Sequence, residues 1–379
     1  IVLKTPKGIS GKTRLEVISL EGLMDSYDLD FQPVNGPFLK ELIPNNGQAG
    51  TWVVVKRNDD INNIGFIMPQ NNDPNTASKI LIDGQPISGA IVKDSNTILF
   101  QIPENAKLGN INIQVENPDK SRSQGLPFLV RDVHGDVVEI QSIDPDHGDL
   151  KGGIPSTITA KPGTNFSGGV DVYFGSQKAK IIGTNLDFTQ VYVEVPPLAD
   201  IKLKAGEKYT VSVTLQKKES GATATIKEGF TYFNPTYADL MKITSVYKKD
   251  VQPKTNKGNA GDLFWVEGDN LLGVTTGSAL SLELQYPDIY FGYSKVEIVD
   301  KEEPGTLGQI QRFPRILVKI PPKPLNIAQD GSLSVMVINP DGGTAILEKG
   351  FIYNQGKPEI IENDSMLKAS KFFDEVKIS

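Results

Sequence analysis

The chain has 379 residues, a formal net charge of −7 and no cysteine. This length is too great for one hydrophobic core and suits about three domains, and the lack of cysteine excludes disulfides and thiolate metal sites. The acidic balance and sparse lysines argue against nucleic-acid binding, which needs a basic face, and no apolar run reaches the ~18 residues of a membrane-spanning helix.

One pattern of strands occurs four times along the chain. A strand ends at a proline, a strand of alternating apolar and polar residues follows, and a third strand closes on aromatic or apolar residues. The marker residues are Pro6, Pro103, Pro196 and Pro321. They lie about one domain length apart, as in an array of β-modules. In the fullest copy Leu333, Val335 and Val337 share one face, which predicts a strand with one face on a core and the other in water.

Residues 1–35 contain only the second half of this pattern. The predicted strands run from Ile1 to Pro6, from Arg14 to Ile18 and from Leu29 to Phe31. Three strands alone bury too little apolar surface to be reliably stable. We therefore expect these residues to be the C-terminal half of a truncated module, completed by neighbouring strands or by another molecule, in a chain cut from a longer array.

Three complete modules follow, and each adds a front half to the repeated pattern. The combined order is I-x-x-I-x-P-x-x-G, G-G-x-x-x-x-I, G-x-x-F, V-x-F-G, V-P-P, N-P-D-G and F-x-Y. This order resembles the IPT/TIG domain, an immunoglobulin-like β-sandwich of the E-set type that occurs in tandem in bacterial surface proteins. The resemblance implies an all-β fold of tandem immunoglobulin-like sandwiches. The modules it implies are residues 36–134 (the first module), 135–236 (the second module) and 237–355 (the third module, with insertions), with residues 356–379 as the start of a further module or a tail.

The copies differ at a few places. The first module has a polar stretch from Arg57 to Asn75 in place of G-x-x-F, and the second lacks N-P-D-G. The third lacks the P-x-x-G turn and has insertions at residues 273–287 and 300–313. Long loops on rigid sandwiches are where binding tends to occur, so we expect any specificity to lie in these segments.

Aromatic residues in or beside the third module's insertions are the first candidates for a ligand surface, and the Arg57–Asn75 stretch is the second. The alternative is that these aromatic side chains alternate into the core or cover a seam between modules. The candidates are Tyr286, Tyr290, Tyr293 and Phe313.

No residue pattern predicts catalysis, a cofactor or a strong metal site. The two histidines, His134 and His147, fall in loops with no third group to orient them as a base. Oxygen-rich loops can hold calcium, but Pro145 and Gly148 break the spacing of a calcium loop. The weak calcium candidates are Asp144, Asp146 and Asp149.

These patterns favour a non-catalytic structural or adhesive array from a larger bacterial surface or secreted protein. Such an array would be extracellular, with no membrane insertion in this segment and no nucleic-acid partner. It would act as a spacer and contact a protein or an extracellular glycan, an extension that rests on the fold. The alternative is a set of accessory carbohydrate-binding modules of a secreted polysaccharide-active enzyme. Short linkers at residues 130–137 and 234–239 would stack the sandwiches end to end.

Overall fold

The structure, a computed structural model, describes residues 11–31, 36–61, 64–199, 201–236, 241–278, 281–302, 310–324 and 330–354. Within these ranges the regular structure is β-strand apart from one 3₁₀ turn, Pro74–Thr76, which confirms the all-β prediction. None of the described residues forms a helix long and apolar enough to cross a membrane. The chain divides into two compact units after Phe233. The predicted segment 356–379 and the predicted strand at residues 1–6 lie outside the described residues.

The N-terminal part of the first unit is a β-hairpin. Its strands are β1 (Gly11–Ile18) and β2 (Met24–Phe31), which pair antiparallel from Gly11 opposite Phe31 to Ile18 opposite Met24.

The first module is a two-sheet sandwich. One sheet has the order β3-β5-β9-β8 and the other β4-β11-β10-β6-β7. Apolar side chains on the two inner faces, such as Val53, Val55, Phe100 and Ile113, form one buried core. The strands are β3 (Leu39–Ile43), β4 (Asn46–Gly47), β5 (Trp52–Arg57), β6 (Lys79–Ile82), β7 (Gln85–Pro86), β8 (Ile91–Asp94), β9 (Thr97–Gln101), β10 (Gly109–Glu116) and β11 (Leu126–Val130).

The second module repeats this arrangement strand for strand. Its sheets have the orders β12-β14-β18-β17 and β13-β20-β19-β15-β16. The strands are β12 (Ile140–Asp144), β13 (His147–Asp149), β14 (Pro155–Ala160), β15 (Val170–Phe174), β16 (Gln177–Lys178), β17 (Lys180–Thr184), β18 (Gln190–Glu194), β19 (Lys208–Lys217) and β20 (Thr223–Phe233).

The third module, in the second unit, has the same two sheets and one additional strand. The sheet orders are β21-β23-β28-β27 and β22-β30-β29-β25-β26, and β24 pairs with β23. The strands are β21 (Lys242–Lys248), β22 (Lys257–Gly258), β23 (Leu263–Ser278), β24 (Ser281–Gln285), β25 (Asp288–Phe291), β26 (Ser294–Lys295), β27 (Glu297–Lys301), β28 (Ile310–Lys319), β29 (Ser332–Ile338) and β30 (Thr344–Tyr353).

The third module's two insertions join one sheet. Strand β23 continues through the first insertion, where it pairs with β24 on one side and with the start of β28 on the other. The register places Leu271 opposite Phe313 and Val274 opposite both Gln285 and Ile310. Segments that the sequence indicated as separate loops are therefore, over their described residues, largely an extension of one sheet.

In every module the chain crosses between sheets at a proline. The Ile43–Pro44, Asp144–Pro145 and Gln252–Pro253 peptides are all cis, and the short strand that follows each pairs parallel with the last strand of its module. The third module therefore has the crossing that its sequence pattern lacks, because Gly258 lies farther from Pro253 than in the P-x-x-G spacing.

The marker proline and the closing aromatic of the repeated pattern contact each other. The Tyr232 hydroxyl donates a hydrogen bond of 2.7 Å to the carbonyl oxygen of Pro196, and the Tyr353 hydroxyl does the same, at 2.7 Å, to Pro321. Both tyrosines are almost fully buried. In the second and third modules these repeated residues thus join the last strand to the segment after the marker strand.

Removing one of these hydroxyls is expected to destabilise its module. Tyr232→Phe keeps the buried ring but leaves the Pro196 carbonyl without this donor, which should lower the free energy of unfolding by about 1–2 kcal/mol. Urea unfolding of the full chain measures the effect, and Tyr353→Phe in the third module should give a loss of similar size. A Tyr232→Phe variant as stable as the parent would show that the bond contributes nothing.

The first two modules pack face to face, not end to end as the short linker had predicted. Val54 and Leu99 point away from their own core and are buried with Ile43, and Tyr173 of the second module packs against them. Sheets stacked through their outer faces bury side chains on both sides of a strand. Strand β5 has this property, since Val53, Val54 and Val55 are all at most 3% exposed.

Polar contacts surround this apolar patch. The Gln48 side chain donates to the Thr223 carbonyl at 3.0 Å and accepts from the Thr223 amide at 2.9 Å. The hydroxyls of Thr51 and Thr223 lie 2.9 Å apart. On the far side Tyr209 donates to Asp94 at 2.5 Å, and burial together with this carboxylate raises the pKa of Tyr209. Apolar packing and hydrogen bonds on both sides of it therefore hold the first two modules together.

An ion pair between the linker and the second module makes the stability of this part of the protein depend on pH. The Lys217 ammonium, almost fully buried, lies 2.8 Å from the Asp136 carboxylate, and hydrogen bonds from Lys217 and Ser220 lower the pKa of Asp136 despite partial burial. A lowered folded-state pKa stabilises the protein above the unfolded-state pKa, and the gain is lost as pH falls through the folded-state value.

The Asp136→Asn variant is therefore expected to be less stable than the parent at pH 7, by about 1 kcal/mol after allowance for solvent screening. The difference should shrink as pH falls below about 4. Urea midpoints between pH 7 and pH 3 measure this. Asp250→Asn, whose side chain is 83% exposed, is the control, and equal effects of the two variants would contradict the assignment.

Candidate functional site

Residues 64–78, which include the second part of the first module's polar stretch, form an ordered element that we call the tongue. The amide of Ile67 donates to the Ser78 hydroxyl at 2.7 Å, and the Ser78 amide donates to the Ile67 carbonyl at 2.9 Å. Phe66 is 3% exposed and packs in the module core. At the tip Asp73 caps the 3₁₀ turn through the Asn75 amide, at 2.9 Å. The segment therefore doubles back on itself and is anchored at its base.

A buried asparagine holds both sides of the tongue. Asn117, the first residue of the N-P-D turn, is 3% exposed. Its Oδ1 accepts from the Ser78 hydroxyl at 2.5 Å, and its Nδ2 donates to the Gly65 carbonyl at 3.1 Å. A buried amide with both ends bonded fixes its partners, since breaking such bonds leaves buried groups unsatisfied.

The third module uses the equivalent asparagine in the same way. Asn339 is 1% exposed; its Oδ1 accepts from the Leu272 amide at 2.9 Å and its Nδ2 donates to the Asn270 carbonyl at 2.9 Å. These partners lie where β23 enters the first insertion. The first module has N-P-D and the third has N-P-D-G. In both, the asparagine of this motif forms hydrogen bonds with the segment in which the modules differ in sequence. In the sequence this motif served only as one element of the repeated pattern, which did not indicate this role.

The exposed surface of the tongue combines large apolar side chains with side-chain amides. Ile64, Ile67 and Met68 are 37%, 39% and 52% exposed. Solvent-exposed side-chain amides follow directly along the tongue. They are Gln70, Asn71, Asn72 and Asn75. Contiguous exposed apolar residues beside polar groups are typical of interaction sites.

A cleft of about 610 Å³ lies between the tongue and the connection from β7 to β8. Its apolar lining includes Pro69, Pro74, Pro86, Ile87 and Ile91, and its polar lining includes Asn72, Asn75, Ser78 and Ser88. Among the lining residues Lys79 alone is charged. A second cleft of about 610 Å³ lies against the tongue's Ile64 and Ile67 and reaches Asn117.

A carboxylate next to Asn117 is paired with two cations. Glu116 lies 2.7 Å from Arg122 and 3.1 Å from Lys120. Burial would raise the pKa of Glu116, but hydrogen bonds from these two cations outweigh it and lower the pKa. The carboxylate is therefore ionised and paired at neutral pH. The clefts themselves are lined mainly by apolar and uncharged polar residues, with Lys79 the charged residue of the first and Asp119 that of the second.

The aromatic candidates of the third module lie mainly inside it. Tyr290 and Phe313 are each 1% exposed, so they present almost no surface to a ligand. Phe313 belongs to the module core, and Tyr286 packs on it with ring centroids 5.7 Å apart. The Lys301 ammonium lies 4.8 Å from the centroid of Tyr286, and Tyr293 is half-buried in the turn after β25. The packing alternative describes Tyr290 and Phe313. Pairing of β23 with β28 places Phe313 in the module core. Tyr290, on β25, alternates with the core residues Ile289 and Phe291 and is buried on the other face of its sheet.

The weak calcium candidates do not converge. In the described part of the chain no three acidic or histidine side chains come together as a group that could hold a metal. Asp149 accepts from the Lys151 amide at 2.8 Å, and Asp146 lies 3.0 Å from His147 Nδ1. Local turn contacts therefore account for these two carboxylates.

Comparison with protein families identifies the second module. Residues 139–232 match the IPT/TIG domain, so the resemblance noted in the sequence is confirmed there. The first and third modules share its strand order. Comparison with curated protein sequences gave no match.

Solved structures to which the chain is similar include two glycan complexes and the extracellular region of plexin A4. One complex contains xylogluco-oligosaccharide (15% identity, TM-score 0.20, 84% of this chain and 60% of that chain). The other is SGBP-B of the Bacteroides ovatus mixed-linkage glucan utilization locus with a mixed-linkage heptasaccharide (14%, 0.23, 82% and 76%). For the extracellular region of plexin A4 the corresponding values are 12%, 0.22, 86% and 34%. This chain thus spans 60% and 34% of the first complex and the plexin. Such identities and TM-scores are too low to indicate a shared function.

Proposed function

We propose that this chain is a non-catalytic array of immunoglobulin-like modules from a larger bacterial surface or secreted protein, and that its first module binds a neutral glycan. The observation that carries the proposal is the cleft beside the tongue, with its lining of prolines, isoleucines and side-chain amides. The chain would act at the cell surface or outside the cell, as spacer and as glycan-contacting scaffold.

The chemistry of the cleft matches a sugar polymer better than a charged ligand. Amides such as Asn72 and Asn75 can both donate to and accept from hydroxyl groups. Rings of Pro69 and Pro74 offer apolar surface to the C–H faces of sugar rings. A charged ligand would need several opposite charges, and Lys79 alone lines the cleft.

The scaffold around the cleft is rigid, which favours binding without large ordering costs. Asn117 and Phe66 fix the tongue to the core. The other face of the same sandwich is braced by the second module through Val54 and Leu99. These contacts would thus hold the cleft of the first module in a fixed position relative to the second module.

Isothermal titration of the full chain with neutral soluble polysaccharides, including xyloglucan and mixed-linkage β-glucan, tests the proposal. The test variant combines Asn75→Ala with Asn72→Gly, since Asn72 has a φ of 59° that glycine adopts without strain. Loss of two amide–hydroxyl bonds is expected to weaken binding about tenfold.

The matched control replaces two exposed asparagines of the same module, Asn105→Ala with Asn110→Ala, and should bind as the parent does. No binding to any neutral polysaccharide would overturn the proposal. An equal loss in both double variants would place the site outside the cleft.

A further inference from the structure

The two faces of the N-terminal hairpin differ in polarity: one carries mostly apolar residues together with Asp25, and the other mostly charged residues together with Ile18 and Met24. On the apolar face Leu15 lies opposite Tyr27, with Val17 next to Leu15 along β1. On the other face Arg14 pairs with Asp28 at 3.4 Å. Val17 is 43% exposed and Tyr27 is 71% exposed. An alternating strand of this kind is built to cover a core on one side.

The register of the hairpin is that of the last two strands of a module. In the first module Ile111 lies opposite Phe128 and Ile113 opposite Leu126. In the hairpin Thr13 lies opposite Leu29 and Leu15 opposite Tyr27. Each strand also begins with glycine at the equivalent place. Gly11 lies opposite Phe31 as Gly109 lies opposite Val130.

The equivalent face in each complete module is buried by strands that come earlier in the chain. In the first module Ile113 and Val115, the counterparts of Leu15 and Val17, are both 0% exposed. They share a core with Val53 and Ile98 from β5 and β9. The exposed apolar face of the hairpin therefore corresponds by register to a face that is buried inside the sandwich in the first module.

We propose that β1 and β2 are the last two strands of a fourth immunoglobulin-like sandwich, whose earlier strands bind the apolar face of the hairpin. Those strands lie N-terminal to the hairpin in the same polypeptide, as they do in each of the three modules. A two-stranded hairpin is marginal in water by itself, and the opposing sheet would supply the apolar surface that makes it stable.

Extending the chain tests this proposal. Two extended proteins place front-half sequences directly before Ile1, a copy of residues 138–190 in one and of residues 36–97 in the other. With these lengths Pro6 takes the place that Pro196 has in the second module in one extended protein, and the place that Pro103 has in the first module in the other. The readout is hydrogen exchange of the amides of residues 14–28, with the amides of the three modules as internal reference.

We expect exchange at residues 14–28 to slow at least about 100-fold in one or both extended chains relative to the 379-residue chain, because opening would then require disruption of a packed core. Val17→Lys in the protected protein should restore fast exchange by placing a charge in that core. Fast exchange in both extended chains, with the modules protected, would overturn the proposal. So would protection in the 379-residue chain that rises with concentration, since a second copy would then cover the face.

Discussion

A Val54→Asp variant is expected to lose about 3–5 kcal/mol of stability and to unfold its first two modules separately, because an isolated carboxylate would replace buried apolar surface between them. Val54 is 3% exposed in the patch formed with Leu99 and Ile43 and packed by Tyr173 of the second module. The patch lies outside the first module's own core, so the variant should fold each sandwich and weaken their association.

Differential scanning calorimetry of the full chain measures this effect. The parent should unfold residues 36–233 in one cooperative transition, and the variant in two at lower temperature. Val299→Asp is the matched control, since Val299 in the third module is 47% exposed and should tolerate a carboxylate. Unchanged transitions in Val54→Asp would show that the two sheets are not held together by this face.

An Asn117→Ala variant is expected to lose about 2–4 kcal/mol of stability in the first module and most of its glycan affinity. The substitution removes both hydrogen bonds of a buried amide and leaves the Ser78 hydroxyl and the Gly65 carbonyl without these partners. The tongue would no longer be fixed over the cleft. Its amides from residue 65 to 78 should exchange faster.

The Asn339→Ala variant distinguishes the loss of stability from the loss of glycan affinity. It removes the same kind of clamp from the third module, so it should cost a similar free energy of unfolding and leave glycan binding unchanged. Titration and urea unfolding of both variants measure the effects. Glycan binding that survives in Asn117→Ala, or that falls equally in Asn339→Ala, would contradict the role of the tongue.

The strand pattern of this protein could be predicted from sequence because it is local. Alternation such as that around Val335, and prolines such as Pro196 at the ends of strands, determine where strands lie and which face is apolar. The pairing of Tyr232 with Pro196 follows once the fold is known.

The candidate site could not be predicted in the same way, because it depends on contacts between distant residues. The Asn117 side chain acts on Gly65 and Ser78, and nothing in the N-P-D turn indicates those partners. Tyr290 and Phe313 looked exposed because the insertions appeared as loops, and pairing between β23 and β28 buries Phe313.

One signal in the sequence, which our prediction of end-to-end stacking did not use, agrees with the packing of the first two modules. The run Trp52-Val53-Val54-Val55 is apolar at every position, and a strand that alternates would not be. A continuous apolar run is typical of a strand buried on both faces. In the structure the outer face of this strand packs against Tyr173 of the second module.

Hydrogen exchange of the full chain with and without a saturating neutral polysaccharide tests the central claim most directly. The account predicts slower exchange in residues 67–79 and 86–92, on the two sides of the cleft, and unchanged exchange in the second and third modules. No change with any neutral polysaccharide, or protection confined to the extended sheet of the third module, would contradict it.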